Sequence, residues 1–436
     1  MATVRGKRNV PLRKGFLWGS ATSAHQVEGG CTNNNWFSFE SAIDVRGRPR
    51  IKDGQEAGPA CDHWNRFRED ILLMKDLGLN AYRFSVEWSK IQPAEDRIDT
   101  AALDHYREVV NELRRNSIEP MVTLHHFTDP LWFAERGSFL DDASPTVFGR
   151  FAGVVADALG DSVRLWCTIN EPTVYAVNGY VTGEFPPAEN NPKRAVRVLR
   201  NMLRSHSEAY HVIKNRLPAA QVGLATNIFI LEAANRWNPV SRFLVNLADR
   251  NIHESVLRYL HSGSFEFNIP GVVRDSFRGV REETSDFVGL NYYTRFRLRF
   301  RLLGGPSVVH DVPGDGRSVT DMGWEIYPEG LLRAVRLIRK FTDRPLYVTE
   351  NGLADDSDTK RATFIRDHLS ALEKAVAEGA DIRGYFFWSL LDNFEWAHGF
   401  SKRFGLYHVD FPTQRRTLRE GSRAVAECIR RSSGPA

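Results

Sequence analysis

The sequence predicts an α/β fold, a (β/α)8 TIM barrel with residues 1–436 forming a single domain. Three observations predict it. Strand-like and helix-like stretches alternate along the whole chain, eight strands each followed sooner or later by a helix. The strands are unbroken apolar runs rather than alternating ones, as expected when both sheet faces are covered. Nearly every strand then runs into a polar or aromatic residue, and barrel enzymes build their sites at the C-terminal strand ends. A doubly wound sheet also fits the alternation, but no GxGxxG or P-loop follows any strand.

The first strand is predicted over 15–22, followed by a polar, Gly-rich loop to about residue 59. Residues 62–77 have helical periodicity, with Trp64, Phe67, Ile71, Leu72 and Met74 apolar and Gly78 as the stop. Strands follow at 80–86, 119–125 and 164–170, with helices at 99–116 and, opening on Ser144-Pro145, at 144–159. The remaining strands are expected at 221–227, 286–292, 345–350 and 382–390. The remaining helices are expected at 192–216, 240–260, 327–341, 360–378 and 420–431. One insertion stands out at 294–317. It alternates Arg295, Arg297, Arg299 and Arg301 with Phe296, Leu298, Phe300 and Leu302, a period-two pattern that predicts an extra strand or hairpin. The arginines are expected on a solvated face; the alternative is a pocket mouth favouring anionic leaving groups.

Composition narrows the function classes. The chain is 42% hydrophobic and 26% charged, values of an ordinary globular protein, and its net charge of +4 gives no case for nucleic acid. Cys31, Cys61, Cys167 and Cys428 show no CxxC spacing and read as free thiols in a reducing cytoplasm. Residues 1–14 are basic without a signal-like apolar run, and no stretch is long and apolar enough for a membrane span. A cytoplasmic location with no membrane partner is the expectation. Oligomeric state is not legible.

Two stretches share one design. Leu346-Tyr347-Val348-Thr349-Glu350 is an apolar strand ending in a carboxylate, followed by an expected Asn351-Gly352 turn. Leu165 to Asn170 likewise leads to Glu171-Pro172. Two carboxylates on neighbouring strand ends are what glycoside hydrolysis requires, one to protonate the leaving oxygen and one to attack or activate water. Around them, the other strand ends present His25, Gln26 and Glu28, then Arg83, His125-His126, Asn291-Tyr292-Tyr293, and Trp388 with Asn393, Glu395 and Trp396.

Four segments, Ser23-Ala24-His25-Gln26-Val27-Glu28-Gly29, Thr168-Ile169-Asn170-Glu171-Pro172, Tyr347-Val348-Thr349-Glu350-Asn351-Gly352 and Trp388 to Trp396, resemble glycoside hydrolase family 1, the β-glucosidase family, in order and from about residue 16 to 410. The resemblance implies a retaining β-glucosidase acting on β-glucosides and short β-linked oligosaccharides, with no metal or organic cofactor. Glu171 matches the acid/base and Glu350 the nucleophile, carboxyls that retaining geometry sets roughly 5 Å apart. Arg83 and Tyr293 match residues touching the nucleophile, and Asn291 supports it. Asn170 matches the ligand of the sugar 2-OH. Gln26, His126, Glu395 and Trp396 match positions holding the other hydroxyls. Trp388 matches the platform under the ring, Trp324 the leaving-group side, and Phe404 the wall near the 6-position. Arg83 is expected to keep Glu350 ionised, and the charge of Glu350 to keep Glu171 protonated.

Competing readings are weaker. His125 and His126 are adjacent on a strand, point to opposite faces and do not share one metal ion; His126 is taken as ligand-facing. Trp18, Trp36 and Trp166 read as core, Cys167 as packing, and Asp392 and Asn393 as shaping the last loop. Lys90 and Lys402 stand outside the apolar strands, against a Schiff-base enzyme. Phe127 stands where the family has Trp, so an indole donor is lost, a cost of about 1 kcal/mol if uncompensated. Thr173 stands where many members of the family have an aromatic, and Asn178 sits in the same leaving-group wall. Glu395 and Phe404 argue against a 6-phospho-β-glycosidase, and Glu171 against a myrosinase-like enzyme. β-Galactosidase or β-fucosidase preference and transglycosylation share the same site. A non-catalytic sugar-binding barrel would lack one of the two glutamates, and a scaffold protein would lack polar strand ends.

Overall fold

The computed structural model describes residues 12–279, 284–301, 305–309, 316 and 318–432. Eight short strands hydrogen-bond side by side: β1 Leu17–Thr22, β2 Ala81–Ser85, β3 Glu119–His125, β4 Leu165–Asn170, β5 Gln221–Asn227, β6 Phe287–Asn291, β7 Leu346–Asn351 and β8 Ile382–Trp388. They close into a parallel barrel in sequence order, with β1 between β8 and β2. The unbroken apolar runs have their explanation here. One set of side chains (Ala81, Met121, Leu165, Phe287, Tyr347, Phe386) fills the barrel interior, and the other set packs outward under the helices. Small residues make room inside: a Cβ on Gly19 would stand 2.3 Å from the Phe386 ring.

The outer helices agree with the expected positions within a few residues at each end, including His63–Asp76, Thr100–Arg115, Ser144–Leu159, Pro192–Arg216 and Arg361–Ala377. Asp99 and Asn191 cap two of them by accepting the backbone N–H of Ala102 (3.0 Å) and Arg194 (3.3 Å).

Several expectations are corrected. The helix expected over 240–260 is broken into Pro239–Asp249 and Ser255–Ser262 by a π-helical turn at Arg250–Glu254. There the Asn251 side chain donates to Leu247 O at 2.7 Å and to Asn268 O at 3.1 Å. Asn351 does not begin a turn. It ends β7 and donates its Nδ2 to Tyr292 O at 2.6 Å. Gly352 is required by close approach: a Cβ there would lie 1.8 Å from the carbonyl oxygen of Trp388.

The Arg-rich insertion does form a strand, Arg295–Arg301. It pairs parallel with Ile230–Ala233 and antiparallel with Gly305–Val309 in a separate three-stranded sheet. Its arginine face is not simply solvated. Arg295 is buried and bonds Glu325 (2.7 Å) and Glu232 (2.9 Å), and Arg297 lies 3.8 Å from Glu325. Leu302 and Arg317, like the N-terminal residues 1–11, fall outside the described residues. Among the described residues no helix is long and apolar enough to cross a membrane, and the four cysteines are buried and unbridged.

Candidate active site

The C-terminal strand ends converge on a cavity of about 320 Å³ lined by Glu171 and Glu350 among others. Glu350, near the end of β7, is almost fully buried. Arg83 of β2 donates to its Oε1 at 2.6 Å, and the Tyr293 hydroxyl donates to its Oε2 at 2.6 Å. Both oxygens take a donor, an arrangement suited to the carboxylate. Burial pushes this carboxyl above its usual range, and the Arg83 guanidinium and Tyr293 hydroxyl oppose the rise. The net direction is therefore up, against the lowering expected from the cation alone. Burial holds Tyr293 well above the usual phenol range, so it stays a donor.

The amides behind the carboxylates are fixed by elimination. Arg83 has only donors, and its second arm reaches Asn170 Oδ1 at 2.6 Å. Thr349 Oγ1 donates to Asn291 Oδ1 at 2.6 Å, so Asn291 Nδ2 faces Asn170 Oδ1 (3.1 Å) and Glu171 Oε1 (2.7 Å). With its oxygen so engaged, Asn170 presents Nδ2 to His126 Nε2 at 3.0 Å. Nε2 then accepts, which places the His126 proton on Nδ1; this tautomer is assigned from the network. Burial and Arg83 hold the imidazole well below its usual range, hence neutral.

Glu171 follows β4 with left-handed backbone angles (φ 45°, ψ 61°). Such a conformation costs a side-chain-bearing residue about 1–3 kcal/mol and is held by its surroundings. Its amide donates to Ala225 O at 2.8 Å. Its Oε1 accepts both Asn291 Nδ2 and, at 3.0 Å, Asn227 Nδ2. Oε2 is left as the oxygen to carry a proton. Burial first, and then the charge of Glu350, raise the carboxyl to about 7, while the two amides and Arg83 pull it down. Burial, rather than the charge of Glu350 expected from the sequence, is the larger cause. Phe127 (φ 70°) and Trp396 (φ 49°), also on the cavity wall, share the left-handed backbone.

The remaining expected residues separate into two groups. His126, Asn170, Tyr293, Trp324, Trp388, Glu395, Trp396 and Phe404 line the cavity. Arg83 and Asn291 stand behind it, and Gln26 is also off its surface. Gln26 Nε2 donates to Glu395 Oε2 (3.2 Å), Asn393 Oδ1 (3.1 Å) and Phe394 O (2.9 Å), so here it holds Glu395. Burial, then Glu350, raise the Glu395 carboxyl to about 8. Sequence reasoning missed Asn227, which ends β5 and is the same kind of polar strand end used elsewhere. It also missed the apolar wall of Val174, Phe229, Phe296 and Met322. Among the described residues, one buried trio, His25, Cys31 and Glu87, has metal-ligand spacing. Its atoms are committed to hydrogen bonds, His25 Nε2 with Glu40 at 2.7 Å and Glu87 Oε1 with Ser89 Oγ at 2.6 Å.

The family model described as Glycosyl hydrolase family 1 matches residues 8–433. The chain belongs to this family. It is 33% identical over 431 residues to Beta-glucosidase A of Thermotoga maritima, covering 93% of this chain and 95% of that one. Among solved structures, a beta-glycosidase from Pyrococcus horikoshii aligns at a TM-score of 0.86 with 36% identity, over 97% of this chain and 96% of that one. A T. maritima beta-glucosidase in complex with glucoimidazole aligns at 0.88 with 29% identity, over 97% and 99%. This family 1 glycoside hydrolase thus presents two unlike carboxyls to one cavity. One is clamped by a cation and a phenol; the other titrates near neutrality with one oxygen free. Such a pair can attack a carbon and protonate the oxygen leaving it.

Proposed function

We propose that this family 1 hydrolase is a retaining β-glucosidase that releases terminal β-D-glucosyl groups by double displacement, with β-fucosides and β-galactosides as further substrates. The unlike environments of Glu171 and Glu350 carry the reading. The Glu350 carboxylate attacks the anomeric carbon as Glu171 gives its Oε2 proton to the leaving oxygen. The attack consumes the charge of Glu350, so Glu171 then holds a proton less tightly and serves as base for water. Tyr293 and Arg83 keep the nucleophile aimed. The names of the relatives and the glucoimidazole complex of one of them support glucose as the sugar. The described cavity lining includes Glu395 and Phe404 but no Lys or Arg, which disfavours a phosphorylated sugar.

The test is initial rates on p-nitrophenyl β-glucoside, β-galactoside, β-fucoside and 6-phospho-β-glucoside, with product anomer followed by NMR. Glucoside or fucoside should lead, the β-anomer should appear first, and Glu350→Ala should abolish turnover with the fold retained. A leading phosphorylated substrate, or an inverted first product, would refute the proposal.

A further inference from the structure

The side of the cavity nearest the acid carries an apolar wall with no counterpart among the catalytic groups. Val174, on the helix Pro172–Val177 that follows Glu171, lines the same cavity as the carboxyl. Phe229 follows two residues after Asn227, the donor to Glu171. Its ring packs at 5.2 Å on Phe296 and at 4.6 Å on His253. Trp324 packs at 5.5 Å on Tyr293, and Met322 also belongs to the lining. All five wall residues, Val174, Phe229, Phe296, Met322 and Trp324, are half-buried, so each keeps apolar surface facing open space.

Phe296 reaches this wall because the inserted strand has a period of two: it faces the cavity while Arg295 and Arg297 turn to Glu232 and Glu325. Arg295 and Arg297 therefore do not make a mouth favouring anionic leaving groups. Of the polar side chains beside this wall, Asn227 gives its Nδ2 to Glu171, Thr294 gives its hydroxyl to Glu325 O, and Glu184 and His398 are exposed to solvent, which leaves Asn178 as a half-buried amide among apolar neighbours.

We propose, resting on the β-glucosidase reading, that the leaving group this site prefers is an apolar alcohol, alkyl or aryl, rather than a second sugar. The C1–O bond breaks as the Glu350 oxygen bonds to C1, and the alcohol departs with the Glu171 proton onto this wall. Apolar carbon covers Val174, Phe229 and Phe296 and removes their surface from water. A sugar would set most of its ring hydroxyls against carbon, with only the Asn178 amide and the Trp324 indole N–H to meet them, which is unfavourable.

The experiment is a series of n-alkyl β-glucosides from methyl to hexyl, with cellobiose and p-nitrophenyl β-glucoside alongside. The alkanols hardly differ in acidity, so a trend reports binding of the chain. kcat/KM should rise about two- to fourfold per methylene, and cellobiose should fall below hexyl glucoside. Phe229→Ser and Phe296→Ser should each flatten the slope. A flat alkyl series, or cellobiose ahead of hexyl glucoside, overturns the inference while p-nitrophenyl glucoside turnover leaves the β-glucosidase reading standing. No turnover of p-nitrophenyl glucoside overturns both.

Discussion

Asn227 Nδ2 stands 3.0 Å from Glu171 Oε1. The amide donates to the carboxylate more strongly than to the acid, so it favours the charged form of Glu171. Removing it in Asn227→Ala should raise the pKa of Glu171. The alkaline limb of kcat/KM should move to higher pH by about one pH unit. A pH–rate profile on p-nitrophenyl β-glucoside checks this, and an unmoved limb would show that the Asn227 amide does not help to set the value.

Glu171→Ala should separate substrates by leaving group. With a poor alkoxide leaving group, loss of the proton donor should cost about 10²–10⁴-fold in kcat/KM. With dinitrophenolate, which needs no proton, the first step should change little. Azide, entering the space of the lost side chain, should restore turnover of activated substrates and give a β-glucosyl azide. Equal losses on both kinds of substrate would remove Glu171 from the acid role.

The same carboxyl links stability to pH. It titrates near 7 in the fold against an ordinary 4.5, so folding favours its protonated form. That contribution is fully present below pH 4.5 and is lost as the pH rises through 7. Glu171→Gln, neutral throughout, should therefore lose less stability than wild type between pH 5 and pH 8. The difference should be about 3 kcal/mol in favour of the variant at pH 8. Thermal midpoints at the two pH values measure it.

Gly352→Ala should damage both stability and rate. A Cβ 1.8 Å from the Trp388 carbonyl must push β7 and β8 apart just past Glu350. Overpacking of this kind costs about 1–3 kcal/mol. Displacement of the nucleophile and of Trp388 should lower kcat by about 10²-fold. Circular dichroism with single-turnover kinetics distinguishes a misplaced site from an unfolded one.

The barrel was legible because its strands are covered on both faces, which leaves long apolar runs such as Val348 and its neighbours in plain view. The carboxylates were legible for the same reason, as charges at the ends of those runs. Asn227 obeys the same rule and could have been read. The break at Arg250–Glu254 could not, since no Gly or Pro marks it and the Asn251 side chain within it bonds an acceptor distant in sequence, Asn268 O. The hairpin Ser264–Ile269 and Val273–Arg278 does carry a period-two signal in Phe265 and Phe267, but it is too short to stand out. The apolar wall was hidden for a different reason. Phe229 and Phe296 are far apart in sequence and meet only because Ile230–Ala233 pairs with Arg295–Arg301.

That pairing divides the labour of the molecule along its chain. Both carboxylates and the groups that hold them stand on or just beyond barrel strands, whereas the inserted sheet contributes Phe296 and none of those groups. Exchange of the 294–309 segment for one of different chemistry would thus re-address the enzyme to new alcohols while its bond-breaking apparatus stayed in place.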